Sequence, residues 1–231
     1  MLFQGYELEI FSPVFFSSFE GNTISAEGII SSTALTYALA DALRLRDKDY
    51  FLYGADTTTP KYQELSEVPI FATDAIATNL RYTSIEFRSA MLWAEENIQI
   101  NAQKNPYPSI LMTASKSPFF KQVRQYVGIE IGSKFQCVIV SEEKLDDEIL
   151  VNIGIRKNGE GRLRKTKPPE YVTLNYFMLD TIYKIPREKL LVHGTTIKRS
   201  GDYRLFFIHG VPLKYFEKEI LPLVVKKWGQ K

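Results

Sequence analysis

Cysteine occurs once in these 231 residues, as Cys137, and histidine only twice. One thiol excludes an internal disulfide and fits a reducing compartment. Cys137 falls in the alternating pattern of residues 134–141, so it reads as a core side chain. The two histidines, His193 and His209, offer no zinc spacing. The acidic run EEKLDDE at 142–148 contains no histidine and lacks the twelve-residue calcium-loop pattern, which makes it a solvated connector between strands. Gly-x-Ser-x-Gly elbows and Walker loops are missing too, and Gly159-x-Gly161 leads into a strand, without the helix start that cradles dinucleotide phosphates. No cofactor and no metal is expected.

Net charge is equally scarce: 29 Lys and Arg against 27 Asp and Glu leave +2. Any electrostatic signal must therefore be local. Each uncharged stretch is broken by Ser, Thr, Asn or Gly before it reaches the span of a bilayer, and Glu7, Glu9 and Pro13 interrupt the opening residues, against a secretory leader. A cytoplasmic chain without a membrane partner is the expectation, of a length for one large domain or two small ones.

What is plentiful is positive charge in one place. Residues 151–167 read VNIGIRKNGEGRLRKTK, with six Lys or Arg among the last twelve: Arg156, Lys157, Arg162, Arg164, Lys165 and Lys167. Val151, Ile153 and Ile155 alternate into an Asn-Gly-Glu-Gly turn, and a second alternating run returns with Arg162 and Arg164 on one side and Leu163, Lys165 and Lys167 on the other. A loop of three or five residues sets Arg156 opposite Arg162 and Gly154 opposite Arg164, with Ile155 beside Leu163 on the packed face. Three arginines so close repel one another unless an anion lies among them, and a bare Gly154 lets a backbone approach. Polyanion binding follows as one reading, and a plain surface hairpin as the other.

Around this hairpin the chain alternates in small elements. Residues 2–11 form a half-buried strand, and 14–32 a long shaped loop. A helix starts at a Ser31, Ser32 or Thr33 cap, carries the stripe Leu35, Ala38, Leu39, Ala42, Leu43, and ends near Arg46. Strands follow at 50–53, 70–73 and 80–87. Residues 88–117 lose periodicity and read as an inserted arm, whose aromatics either wedge against bases or form a buried satellite cluster. Residues 119–131 and 134–140 form an antiparallel pair about Gly132-Ser133, bearing Arg124 and Lys134. Beyond Pro168-Pro169 come a strand at 171–178, a hairpin of 191–198 with 202–209, and an amphipathic helix at 215–228 presenting Phe216, Ile220, Leu223 and Val224. The order strand, helix, strand, strand is that of an α+β, ferredoxin-like fold. The aromatic consensus of RNA-recognition modules is absent, so phosphate contacts from the basic hairpin, helped by aromatic stacking of about 1–3 kcal/mol per base, are the expected mode of nucleic-acid binding. A metal-free ribonuclease with His193 or His209 as acid or base stays open, because such an enzyme needs only a Tyr, Lys or His near a 2′-hydroxyl. So does an assembly protein whose basic face meets an acidic partner.

Two stretches carry a family resemblance. QVRQYVGIEIGSKFQCVIVSEEKLDDEILVNIGIRKNGEGRLRK (122–165) resembles the part of the type I-D CRISPR handle-capping subunit where a strand pair and acidic turn lead to a glycine-arginine hairpin, matched by Ile153, Gly154, Ile155, Arg156, Arg162 and Arg164. SSTALTYALADAL (31–43) is similar to its first helix. The resemblance implies the "Cas-five" branch of the RAMP proteins: a ferredoxin-like RAMP domain at 1–167 with an inserted thumb at about 88–117, and a small β-rich C-terminal part with a terminal helix at 168–231. It implies a non-catalytic, antiviral-defence role in an effector complex, holding the 5′ handle of crRNA against the large subunit and the first backbone subunit, with target DNA left open as a neighbour. Arg156, Arg162, Arg164 and Lys165 would grip handle phosphates, with Gly154, Lys157, Lys167, Lys134 and Arg124 beside them. The alternative within the same branch is a metal-independent endoribonuclease that processes precursor crRNA.

Overall fold

Strand β1 (Leu2–Ile10) sits mid-sheet because of its alternation: Tyr6, Leu8 and Ile10 are fully buried on one face while Glu7 and Glu9 occupy the other. This computed structural model describes residues 2–16, 23–45, 62–88, 123–154, 159–198 and 205–228. β1 pairs antiparallel with β8 (Lys134–Ser141) on one side and β10 (Gly159–Thr166) on the other. The full order is β3 (Ile29–Ile30), β5 (Ala75–Asn79), β8, β1, β10, β9 (Glu148–Ile153), and β4 (Ile70–Ala72) pairs with the remaining length of β8. All these pairings are antiparallel.

The inner face of this sheet is covered by α1 (Ser32–Ala42). Ser31 caps it, its hydroxyl accepting the Ala34 N–H, and Leu35, Ala38 and Leu39 pack against Tyr6, Leu8, Phe135, Ile149, Val151 and Leu163. The helix stops at Ala42 rather than near Arg46. Arg44 takes a left-handed conformation (φ 54°), and the N–H groups of Arg44 and Leu45 turn back to the carbonyls of Asp41 and Ala40. That is a Schellman closure made without the glycine that usually announces one.

The outer face is split. At one end Phe3, Phe71, Val138 and Val140 are covered by the C-terminal elements: a sheet of β11 (Tyr171–Asn175), β13 (Phe206–Pro212) and β12 (Thr195–Lys198), a π-helical turn at Met178–Ile182, α2 (Arg187–Leu190), and the helical stretch α3 at 213–225. Phe71 is stacked on Phe216 at 5.9 Å and meets Tyr183 edge-on at 5.7 Å. Such rings each contribute about 1.5–3 kcal/mol by burial. Within α3 the turn Phe216–Ile220 widens to π geometry ahead of Pro222, which has no N–H to continue the α-helical pattern. The connector at 167–170 crosses the outer face over Gly5, where a Cβ would lie 2.5 Å from the Pro168 nitrogen. At the other end no described residue covers the outer face.

A third sheet of β2 (Thr23–Ser25), β7 (Val123–Ile129) and β6 (Tyr82–Arg88) is joined to the first through the Val14–Ile129 bridge. This corrects the hairpin expected between 119–131 and 134–140. Both edges of β8 are occupied, by β1 and by β4 with β5, and the turn at 130–133 instead bonds to the end of β1: Gly132 N–H to the Ile10 carbonyl at 2.8 Å, and Ile10 N–H to the Ser133 carbonyl at 3.0 Å. The strand expected at 80–87 is present as β6, starting two residues later. β5 ends before Leu80 and β6 starts after Arg81, because the buried Ser133 hydroxyl bonds both the N–H and the carbonyl of Arg81 and pins the crossing. Residues 14–32, expected as a loop, contain β2 and β3, and 179–191 contains helical turns. The strand expected at 50–53 and the arm beyond Arg88 lie outside the described residues.

Candidate nucleic-acid interface

The open half of the outer face is a two-row charge ladder. Strand register puts Lys134, Glu9, Arg162 and Leu150 in one row and Gln136, Glu7, Arg164 and Glu148 in the next. In an antiparallel sheet such side chains stand within reach of one another across strands and on diagonals. Arg164 Nε donates to Glu148 Oε1 at 2.6 Å, Lys134 Nζ to Glu7 Oε1 at 2.9 Å, and Arg162 reaches Glu9 at 3.4 Å and Glu148 at 3.8 Å. The Arg162 guanidinium also lies 4.6 Å over the Phe11 ring. The hydrogen bond from Arg164 holds the Glu148 carboxyl below its ordinary range, and the same bond raises Arg164.

Two sequence expectations change here. Arg162 faces Leu150 and Arg164 faces Glu148, so neither Arg156 nor Gly154 is their partner. Five residues, 154–158, connect β9 to β10, and Gly154 begins that connection at φ 88°. Gly159 and Gly161, which read as turn residues, are strand residues, because their positions have no room beneath: a Cβ on Gly159 would lie 2.4 Å from Val14 Cγ2, and one on Gly161 2.7 Å from Leu8 Cδ1. The division into a packed and a charged face holds, since Leu163 is fully buried while Arg162 and Arg164 face outward. The second change concerns the anion. The arginines already have carboxylates among them, supplied by β1 and by the start of β9.

Of the other residues singled out, Lys134 joins the ladder. Lys165 lies on the opposite side with Leu163, where its Nζ reaches Asp147 Oδ1 at 2.9 Å and the Leu145 carbonyl at 3.3 Å. That contact lowers the Asp147 carboxyl, and with the Tyr6 hydroxyl bonded to the Asp146 carbonyl it anchors the acidic run, which is the exposed connector between β8 and β9 that the sequence suggests. Lys167 is exposed at the end of β10, and Arg124 lies on β7 in the third sheet. Arg156 and Lys157 fall outside the described residues. The histidines have separate neighbours: His193 meets the Tyr215 ring edge-on at 4.5 Å, and His209 Nδ1 is 2.7 Å from the Thr173 hydroxyl. Glu7, Glu9 and Glu148 were missed as part of the site. Their alternation was visible, but which strands flank β1 was not.

Among the described residues no helix is long and apolar enough to cross a membrane, and no group of three or more His, Cys, Asp or Glu is placed to hold a metal ion. No curated protein matches the chain. The family model described as type I-D CRISPR-associated protein Cas5/Csc1 matches residues 1–189, most of the chain and all of the ladder, and the chain belongs to that family.

Proposed function

We propose that the chain is a non-catalytic RNA-binding subunit of a type I-D CRISPR effector complex in the cytoplasm, where it holds the 5′ handle of crRNA in antiviral defence and contacts the large subunit and the first backbone subunit. The observation that carries the reading is the family match over 1–189 together with two arginines presented side by side on a sheet face that no other described element covers. Exposed ion pairs of this kind are weakly held and screened by salt, so a phosphodiester can take the place of Glu148 and gain a two-pronged contact from Arg164. Lys134 and Lys167 border the same face, Gly154 follows β9, and Arg156 and Lys157 are proposed to act with them from the sequence between β9 and β10. Lys165 and Arg124 act, on this reading, through neighbouring surfaces.

The ferredoxin-like reading of 1–167 is part of the proposal. The spatial order β10, β1, β8, β5 with α1 leading from β1 towards β5 supports it; between β8 and β10 along the chain, where that fold has its second helix, this chain has the edge strand β9. Residues 168–231 are proposed as the C-terminal part, packed on the same sheet.

Affinity purification from a host carrying the complex, followed by sequencing of bound RNA, tests the reading. Repeat-derived 5′ ends are expected. A nucleic-acid-free complex would favour the assembly role, and specific cleavage of repeat RNA in EDTA, lost in His209→Ala or His193→Ala, would favour the endoribonuclease.

A further inference from the structure

Where the β4–β5 junction meets the C-terminal sheet, a cleft of about 140 Å³ opens. Its floor holds Asp74, only 1% exposed. The Asp74 backbone N–H is bonded to the Thr173 carbonyl at 3.0 Å, and Oδ1 accepts the Ser32 N–H at the start of α1. Oδ2 is buried and has no hydrogen-bond partner among the described residues. Tyr171, 60% exposed, stands at the mouth with His209, whose Nδ1 is engaged by Thr173. Among the described residues no Lys or Arg lines the cleft.

An orphaned carboxyl oxygen in such a place costs about 1–3 kcal/mol, more if charged, and burial pushes this carboxyl well above the ordinary carboxylate range. A donor brought from outside satisfies the oxygen, and a cationic one also offsets the charge that Asp74 takes on when it ionises. An anion such as a phosphate would meet an acid with no compensating charge in the lining, and a neutral nucleobase would leave the carboxyl uncompensated. The aromatic ring at the mouth suits the stem and head of a basic side chain.

We propose that this cleft receives an arginine or lysine side chain of a protein partner, with Asp74 Oδ2 as its acceptor and Tyr171 flanking it. Only the identity of that partner, a neighbouring subunit of the complex, rests on the function proposed above; the chemistry of the cleft does not involve RNA.

The test is a backbone-amide NMR titration of the full chain with N-acetyl-arginine methylamide and its lysine counterpart, against the neutral isostere N-acetyl-citrulline methylamide and against adenosine. The pH is held constant across the series. Expected are saturable shifts at Asp74, Thr173 and Gly210 with a cationic ligand, at least tenfold weaker response to citrulline, loss of the response in Asp74→Asn, and a severalfold weaker one in Tyr171→Ala. The inference is overturned by an equal response to citrulline, by no saturable response, by persistence in Asp74→Asn, or by adenosine acting where the cations do not. Should Asp74→Asn fail to fold, the exposed Tyr171→Ala decides, and unchanged binding there overturns the inference. Because no RNA is present, failure here and failure of RNA binding are separate results.

Discussion

Arg164 and Glu148 face each other across β10 and β9, with Nε and Oε1 2.6 Å apart, and both side chains are about half exposed. The pair is therefore open to solvent and competitors. A pair of this exposure adds little to the stability of the fold. Glu148→Gln is expected to leave the urea-unfolding midpoint nearly unchanged, with any residual effect vanishing at high salt. A larger loss would mean that the ladder is structural cement and not an exchangeable surface.

Asp74 predicts a pH signature. Its folded-state pKa lies above the ordinary 3.8, so the folded protein binds its proton more tightly than the unfolded chain does. The stability it contributes is present below about pH 3.8 and is lost as pH rises through the folded value. Asp74→Asn, which keeps the Oδ1 acceptor for Ser32 and carries no charge, should gain on the native protein as pH rises and converge with it in acid. Melting temperatures of both from pH 3.5 to 8 check this; a constant difference would remove the buried titration.

Glycine spacing gives a graded test. A Cβ at Gly5 meets the Pro168 backbone at 2.5 Å, whereas one at Gly161 meets the end of the Leu8 side chain at 2.7 Å. Backbone cannot rotate aside and a leucine methyl can. Gly161→Ala should cost about 1–3 kcal/mol and Gly5→Ala more, by chemical denaturation. The reverse order would contradict the crossing of the connector over β1.

Much of this was legible in the chain because alternation is local. The two faces of β1, the buried side of α1, and the separation of Leu163 from Arg162 and Arg164 all follow from period two or 3.6. What was not legible is who pairs with whom. β7 and β8 are joined by a short turn, yet the turn serves the end of β1, since a strand with two occupied edges takes no third partner. Gly159 and Gly161 look like a turn in sequence and are strand in fact, because their missing side chains answer to Val14 and Leu8, far away along the chain. The same non-locality hid the carboxylates that accompany the arginines, and it hid Asp74, an unremarkable residue until β11 closes over it.

The central claim is that Arg162 and Arg164 exchange their carboxylates for RNA phosphates. Its most direct test measures the affinity of the native chain, Glu148→Gln and Arg162→Ala/Arg164→Ala for repeat-handle RNA across a salt series. The account predicts tighter binding for Glu148→Gln, by up to roughly fivefold. For the double arginine variant it predicts weaker binding with a log–log salt slope flatter by about 1.4, two phosphate contacts on a single strand. Binding that is identical in all three proteins, with one common slope, would contradict it.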